Sequence, residues 1–164
     1  MVLAHVSPGT RPREAPLTDP TLPTLFGRFT ALQSDQRHLF TTFRALYDAC
    51  NAAAPDRDIH APAESVRLFE ELLVLLSRHF SAEEAESYFG AIVTERPSLR
   101  HQIFALKAEH VAILTAVSAL SHIANGGTAP VSFANAVQHC AEWLQSHEQR
   151  ESLILREFLY ATDS

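Results

Sequence analysis

Hydrophobic residues recur along most of the chain in alternating steps of four and three, which is typical of helices that bury one face. Four stretches carry this pattern, at residues 25–51, 63–93, 98–124 and 131–161. The links between them contain Pro or Gly, as in the segment NGGTAP at 125–130. Since the links are short, we predict an all-α fold, an antiparallel up-and-down four-helix bundle.

The chain divides into two parts by this pattern. Residues 1–24 lack it and hold five of the nine prolines, so they are predicted to form a Pro-rich arm outside the core. Residues 25–164 are predicted to form the bundle as one domain, which suits a chain of 164 residues with 46% hydrophobic content.

Charge and hydropathy exclude several classes of function. A net charge of -6 with only 13 Lys and Arg argues against a nucleic-acid surface, which needs clustered positive charge. No apolar run reaches the roughly 18 residues that span a bilayer, and the N-terminus lacks the long apolar core of a signal peptide. We therefore expect a cytoplasmic protein that binds neither nucleic acid nor membrane. Cys50 and Cys140 lack CxxC spacing, so no thiolate zinc site is indicated.

The buried face of the last predicted helix contains two ionisable residues. In steps of four and three it runs Phe133, Val137, Cys140, Leu144, His147, Glu151, Ile154 and Phe158. His110 holds such a position in the third helix, and His79 and Glu83 do so in the second. Because a lone buried carboxylate is costly, these side chains need partners in the interior.

Four histidines lie close to the midpoints of the four predicted helices, namely His38, His79, His110 and His147. Midpoints lie at one level in an antiparallel bundle of similar helices, so we predict that the four imidazoles converge. Glu83 and Glu151 each follow a histidine by four residues, which places them on the same helical face. Imidazole and carboxylate groups without thiolate suit Fe, Mn or Zn, and six such ligands can hold two metal ions. Bound cations would then compensate the buried carboxylates.

These segments resemble the hemerythrin-like family of HHE cation-binding domains. The matching pieces are LQSDQRHLF at 32–40, HFSAEE at 79–84, KAEH at 107–110 and HEQRESL at 147–153, so the resemblance extends over residues 25–160. It implies a four-helix bundle that holds a non-haem centre of two iron ions. It also implies the ligand roles: terminal ligands at His38, His79, His110 and His147, and bridging carboxylates at Glu83 and Glu151.

The sequence departs from the oxygen-carrying hemerythrins in two places. On their third helix the oxygen carriers have a second His four residues before the one that matches His110, whereas this chain has Leu106 there. On their fourth helix Asp follows the matching His by five residues, whereas here Glu151 follows His147 by four. The resemblance therefore points to the wider group, whose members are associated with iron, oxygen, nitric oxide or redox responses. We expect a protein that interacts with O2, nitric oxide or peroxide in sensing, stress response or iron handling.

Three alternatives stay open at this point. The same centre could serve a di-iron oxidase or peroxidase-like enzyme, with an apolar substrate pocket beside the metals. The chain could instead be a helical interaction module that binds zinc or no metal, with a partner that the sequence does not identify. The polar residues could also be hydrogen-bonded core contacts alone. Glu84, Glu86 and Glu148 are predicted to lie on a solvated face, and Tyr47 and Tyr88 either pack or donate hydrogen bonds to the ligands.

Overall fold

The computed structural model describes residues 21–52, 63–126 and 132–160 of the chain. Its long helices are α1 (Thr21–Ala52), α2 (Ala63–Glu83), α4 (Arg100–Asn125) and α5 (Phe133–Tyr160). Between α2 and α4 lie a π-helical turn (Glu86–Gly90), the short helix α3 (Ala91–Glu95) and a 3-10 turn (Pro97–Leu99). No strand occurs within these ranges, so the all-α prediction is confirmed for the described part of the chain.

The four long helices close into a ring around a shared interior. Helix α1 contacts α2 and α5, and α4 contacts the same two helices. Buried apolar side chains form two clusters within the ring, one around Leu39, Leu72 and Val137 and the other around Ile103 and Phe158. Burial of such side chains stabilises the fold by about 1.5–3 kcal/mol each.

A layer of polar residues separates the two apolar clusters. In α4, Leu106 belongs to one cluster and Ile113 to the other, and His110 lies between them. In α5, His147 lies in the same way between Leu144 and Ile154. The polar positions in the hydrophobic pattern thus come together as one layer inside the bundle.

The predicted second helix is interrupted where it reaches this layer. The prediction of one continuous helix over 63–93 is wrong, because α2 ends at Glu83 and Ala85 adopts an extended conformation with φ -59° and ψ 146°. The following π-helical turn directs Tyr88 and Phe89 into the interior. A Cβ at Gly90 would lie 2.6 Å from Glu86 Oε2, so the exposed Glu86 side chain would have to move if this residue carried a side chain.

Helix α1 begins four residues before the predicted start, at Thr21. Pro23 lies in its first turn, where the missing backbone N–H of proline would have no helical partner in any case. The arm predicted for residues 1–24 lies mostly outside the described residues, and so does the link at 53–62.

Among the described residues, one segment is long and apolar enough to cross a membrane by length and composition. It is Pro97–Asn125, with a mean hydropathy of 1.6, so by this measure the prediction that no segment is sufficiently apolar is not met. The segment includes α4, which packs between α2 and α5 and carries buried His110. The side chains of Phe104 and Val111 on its other face are 55% and 65% exposed, so the helix is apolar on both faces.

Candidate metal centre

Six ionisable side chains lie buried in the polar layer. They are His79 and Glu83 from α2, His110 from α4, and His147, Glu148 and Glu151 from α5, none of them more than 7% exposed. The structure thus brings together five of the six residues that the sequence predicts as ligands. The spacing along each buried helical face explains this, because positions four apart on one helix lie one above the other on the same face.

One group of possible ligands joins three helices. Ligand atoms of Glu83, His110 and His147 all lie within 4.8 Å of one another. Glu83 Oε2 is 3.1 Å from His110 Nε2, and the Nε2 atoms of His110 and His147 are 3.0 Å apart. Two imidazole nitrogens and one carboxylate oxygen therefore point at a common position, as they do when they bind a metal ion.

A second group shares Glu83 with the first. Ligand atoms of His79, Glu83 and Glu148 also lie within 4.8 Å of one another. His79 Nε2 is 2.7 Å from Glu83 Oε1 and 3.0 Å from Glu148 Oε1. The two oxygens of Glu83 thus face different histidines, which is the arrangement a carboxylate needs to bridge two positions.

Glu83 and His79 have few partners outside the cluster. Glu83 is fully buried with its two oxygens facing the Nε2 atoms of His79 and His110, and Nδ1 of His79 is buried with no hydrogen-bond partner among the described residues. Buried polar atoms almost always have a partner, so this nitrogen is unusual. A cation placed among these nitrogen and oxygen atoms would satisfy the carboxylate, and the donor set fits Fe, Mn or Zn.

Carboxylates outside the cluster orient two of the imidazoles. His110 Nδ1 lies 2.7 Å from Glu84 Oε1, and His147 Nδ1 lies 2.9 Å from Glu109 Oε2. Glu109 also accepts a hydrogen bond from Arg150. An imidazole that donates its Nδ1 proton to a carboxylate keeps Nε2 free as a lone-pair ligand, which is the common arrangement around bound metals. Glu84, predicted to lie on a solvated face, is 38% exposed and makes this contact.

Aromatic side chains from α2 and the π-helical turn fix the remaining groups. The Tyr88 hydroxyl donates a hydrogen bond of 2.7 Å to Glu151 Oε1. The Phe80 ring stacks on His110 with centroids 4.0 Å apart and an interplanar angle of 6°. The interruption of α2 thus has a structural role, because it turns Tyr88 toward a buried carboxylate. Tyr88 donates a hydrogen bond to a predicted ligand, as one of the sequence-based alternatives proposed.

One charged pair lies in the interior of the cluster. Burial alone would lower the pKa of His79, but hydrogen bonding to Glu148 and the proximity of Glu83 outweigh it and raise the pKa to about 10. Burial alone would raise the pKa of Glu83, but the adjacent imidazoles of His110 and His79 lower it to about 2. Glu83 therefore stays ionised at neutral pH, with His79 as its counterion.

Burial favours the neutral forms of Glu151, His147 and Tyr88. Burial, together with the negative charges of Glu83 and Glu148, raises the pKa of Glu151 well above its usual value. Burial lowers the pKa of His147 and raises that of Tyr88. The interior is thus short of positive charge for its three carboxylates, and it accommodates them by keeping a proton on Glu151.

His38 does not join the cluster, so the prediction that four imidazoles converge is wrong for this residue. Its side chain is 54% exposed, and Nε2 lies 3.4 Å from Oε1 of Glu71. Helix α1 instead contributes Gln36, whose Nε2 donates a hydrogen bond of 2.9 Å to Glu148 Oε2. Two residues along a helix correspond to a rotation of about 200°, so Gln36 and His38 face opposite sides of α1.

Sequence reasoning missed two residues of the site. The prediction that Glu148 is solvated is wrong, because it is 6% exposed and lies against His79. Its spacing of four residues from Leu144 and seven from Leu155 is the signal of a buried position. Gln36 is the polar residue on the buried face of α1, between Leu32 and Leu39, whereas His38 lies beside that face.

Comparison with known proteins bears on the same part of the chain. A family model for the hemerythrin HHE cation-binding domain matches residues 29–159. The match covers most of the chain and includes every residue of the buried cluster. Searches among curated proteins and among solved structures found no match.

Proposed function

The chain belongs to the hemerythrin HHE cation-binding family, and we propose on that premise that it is a non-haem di-iron protein. The observation that carries the proposal is the state of Glu83. This carboxylate is fully buried, and its two oxygens lie 2.7 Å and 3.1 Å from the Nε2 atoms of His79 and His110. A carboxylate that bridges two cations has this environment, because each of its oxygens faces the imidazole of a different group of possible ligands.

The two groups of ligand atoms suggest how the ions are held. In the proposal, His79 and Glu148 hold one ion, His110 and His147 hold the other, and Glu83 bridges them. Glu151 interacts with Glu83 and is the second candidate bridge. Iron in such a site supplies open coordination positions for a small ligand and can change its oxidation state.

We also infer that consecutive long helices run antiparallel. Contacts between α1 and α2 support this, because residues later in α1 contact residues earlier in α2. The pairs are Asp35 with Arg78, His38 with Glu71, and Cys50 with Ser65. The arrangement brings the midpoints of the helices to one level, which is where the polar layer lies.

The space beside the cluster favours a small ligand over an organic substrate. The inner cavity, bordered by His79, Glu83 and Glu151, has a volume of about 30 Å³, which is roughly the share of one water molecule in the liquid. We therefore propose O2, nitric oxide or peroxide as the ligand class. In the proposal the protein acts in the cytoplasm, in sensing, stress response or iron handling.

Metal analysis tests the proposal directly. Protein loaded with ferrous iron under anaerobic conditions should bind close to two iron ions per chain. After oxidation it should show charge-transfer absorption that azide shifts, because an open iron position accepts an anion. His147→Ala should lose at least one ion, whereas His38→Ala should retain both because His38 lies outside the cluster.

The other outcomes separate the alternatives. A colourless protein that binds zinc or no metal would favour an interaction module. Full iron loading of His147→Ala would remove that residue from the site. An oxidised spectrum that saturating azide leaves unchanged would mean that the iron has no open position for an anion.

A further inference from the structure

A groove on the surface between α1 and α5 leads to the buried cluster. It has a volume of about 590 Å³, and its lining includes Arg37, Arg156, Gln36, Glu148 and Ser152. The last three of these side chains also line the inner cavity beside the cluster. The side chains of Gln36, Glu148 and Ser152 therefore form the wall between groove and cavity. The hydrogen bond between Gln36 and Glu148 holds this wall together.

The cluster is covered more completely on its other sides. Glu84 and Glu109 contact the outer nitrogens of His110 and His147. Among the described residues, α1 is the only long helix that places no histidine or carboxylate in the cluster. Its contribution is the neutral amide of Gln36. The side toward α1 therefore has the fewest potential ligands, and open coordination positions would face it.

The mouth of the groove is positively charged although the chain as a whole is acidic. Arg37 and Arg156 line it, and the arginine ion pairs among the described residues are formed by Arg44, Arg67, Arg78 and Arg150 instead. Glu148 is the only carboxylate on the groove, and it is already bound to Gln36 and His79. With a net charge of -6 for the chain, two arginines at one opening mark it as a site that attracts anions.

We propose that this groove is the entrance through which small monoanions reach the metal centre. Arg37 and Arg156 attract the anion, and the hydrogen bond from Gln36 to Glu148 is the last barrier before the inner cavity. That the anion binds to iron depends on the proposed di-iron function, whereas the preference of the groove for anions does not. The two can therefore be tested separately.

The rate of azide binding tests the entrance in the iron-loaded, oxidised protein. The double variant Arg37→Gln/Arg156→Gln should bind azide about ten-fold more slowly at low ionic strength, with its iron content unchanged. The difference should shrink as salt is added, since screening weakens long-range attraction. Stopped-flow absorption measures the rate.

A matched variant and a neutral ligand control this experiment. Arg67→Gln/Arg100→Gln removes the same charge outside the groove and should leave the azide rate within about two-fold of wild type. Nitric oxide is uncharged, so its association should be equally fast in wild type and in both variants. An unchanged azide rate in the groove variant, or an equal slowing of nitric oxide, would overturn the proposal.

A metal-free experiment keeps the entrance separate from the di-iron proposal. Ser152 lines both spaces, and the thiolate of Ser152→Cys forms a disulfide with a methanethiosulfonate reagent and releases methanesulfinate. With each rate divided by that of a small thiol in solution, an anionic reagent should be favoured over a cationic one of similar size, and the groove variant should lose this preference, as measured by peptide mass. If wild type binds no iron but keeps this selectivity, the di-iron proposal fails and the entrance stands. Iron binding without selectivity overturns the entrance.

Discussion

Replacing Glu83 with Gln should strongly weaken the binding of both metal ions while the helical bundle stays folded. Glu83 belongs to both groups of ligand atoms, and His79 keeps Glu148 as a partner at 3.0 Å when the charge of Glu83 is removed. Glutamine has nearly the same size but cannot bridge two cations with a charged carboxylate. Loss of a residue that only orients a ligand weakens metal binding by roughly 10–100-fold, so loss of a shared ligand should cost at least about 100-fold for each ion. Iron titration followed by metal analysis measures this.

The neighbouring Glu84 provides the matched control. Its side chain contacts the outer nitrogen of His110, so Glu84→Gln should weaken the binding of one ion by about ten-fold and leave the other in place. Circular dichroism should show unchanged helix content in both variants. Retention of both ions by Glu83→Gln would show that this carboxylate is not the shared ligand. The main observation in favour of the di-iron proposal would then no longer support it.

The metal-free protein should lose stability as the pH rises from about 6.5 toward 10. The pKa of His79 is raised from 6.5 to about 10 in the folded protein, so its contribution is complete below pH 6.5 and disappears as the pH passes through 10. The raised pKa of Glu151 acts in the same direction, because ionising this buried carboxyl at higher pH costs free energy. Together they should lower the free energy of unfolding by a few kcal/mol, since one pKa unit corresponds to about 1.4 kcal/mol.

At lower pH the ionisation of Glu83 makes the stability of the protein fall, not rise, as the pH decreases. Its pKa is lowered from 4.5 to about 2, so its stabilising contribution is present above pH 4.5 and is lost as the pH falls toward 2. The raised pKa of Glu151 lowers stability from pH 4.5 upward and the lowered pKa of His147 lowers it below pH 6.5, so these two effects oppose each other and the stability maximum of metal-free protein should lie between about pH 4.5 and 6.5. Urea unfolding in the presence of a chelator, repeated across this pH range, measures the profile.

Glu151→Gln is the matched variant for the alkaline side of the profile. It keeps an acceptor for the Tyr88 hydroxyl but cannot ionise, so the loss of stability above pH 6.5 should be smaller than in wild type. Bound iron should flatten the profile further, because cations stabilise the ionised carboxylate in place of the proton. A metal-free wild type whose stability is constant from pH 6.5 to 10 would contradict the charged pair between His79 and Glu83.

The hydrophobic pattern alone predicted the helices and most of the buried cluster. A repeat of four and three is a local property of the chain, and it assigns each residue to a face before any tertiary contact forms. It therefore placed His79 and Glu83 together on α2, and likewise His147 and Glu151 on α5. The same rule applied strictly to α1 would have selected Gln36, whereas the position of His38 near the helix midpoint directed the prediction to that residue.

Only the tertiary structure decided which groups meet between helices. The rotation of α1 about its axis turns Gln36 inward and leaves His38 beside Glu71, and the break after Glu83 brings Tyr88 to Glu151. A hydrogen bond or a shared metal ligand forms only when two side chains approach within about 3 Å. That distance depends on the packing of residues far apart in sequence, and the hydrophobic repeat of a single helix carries no information about it.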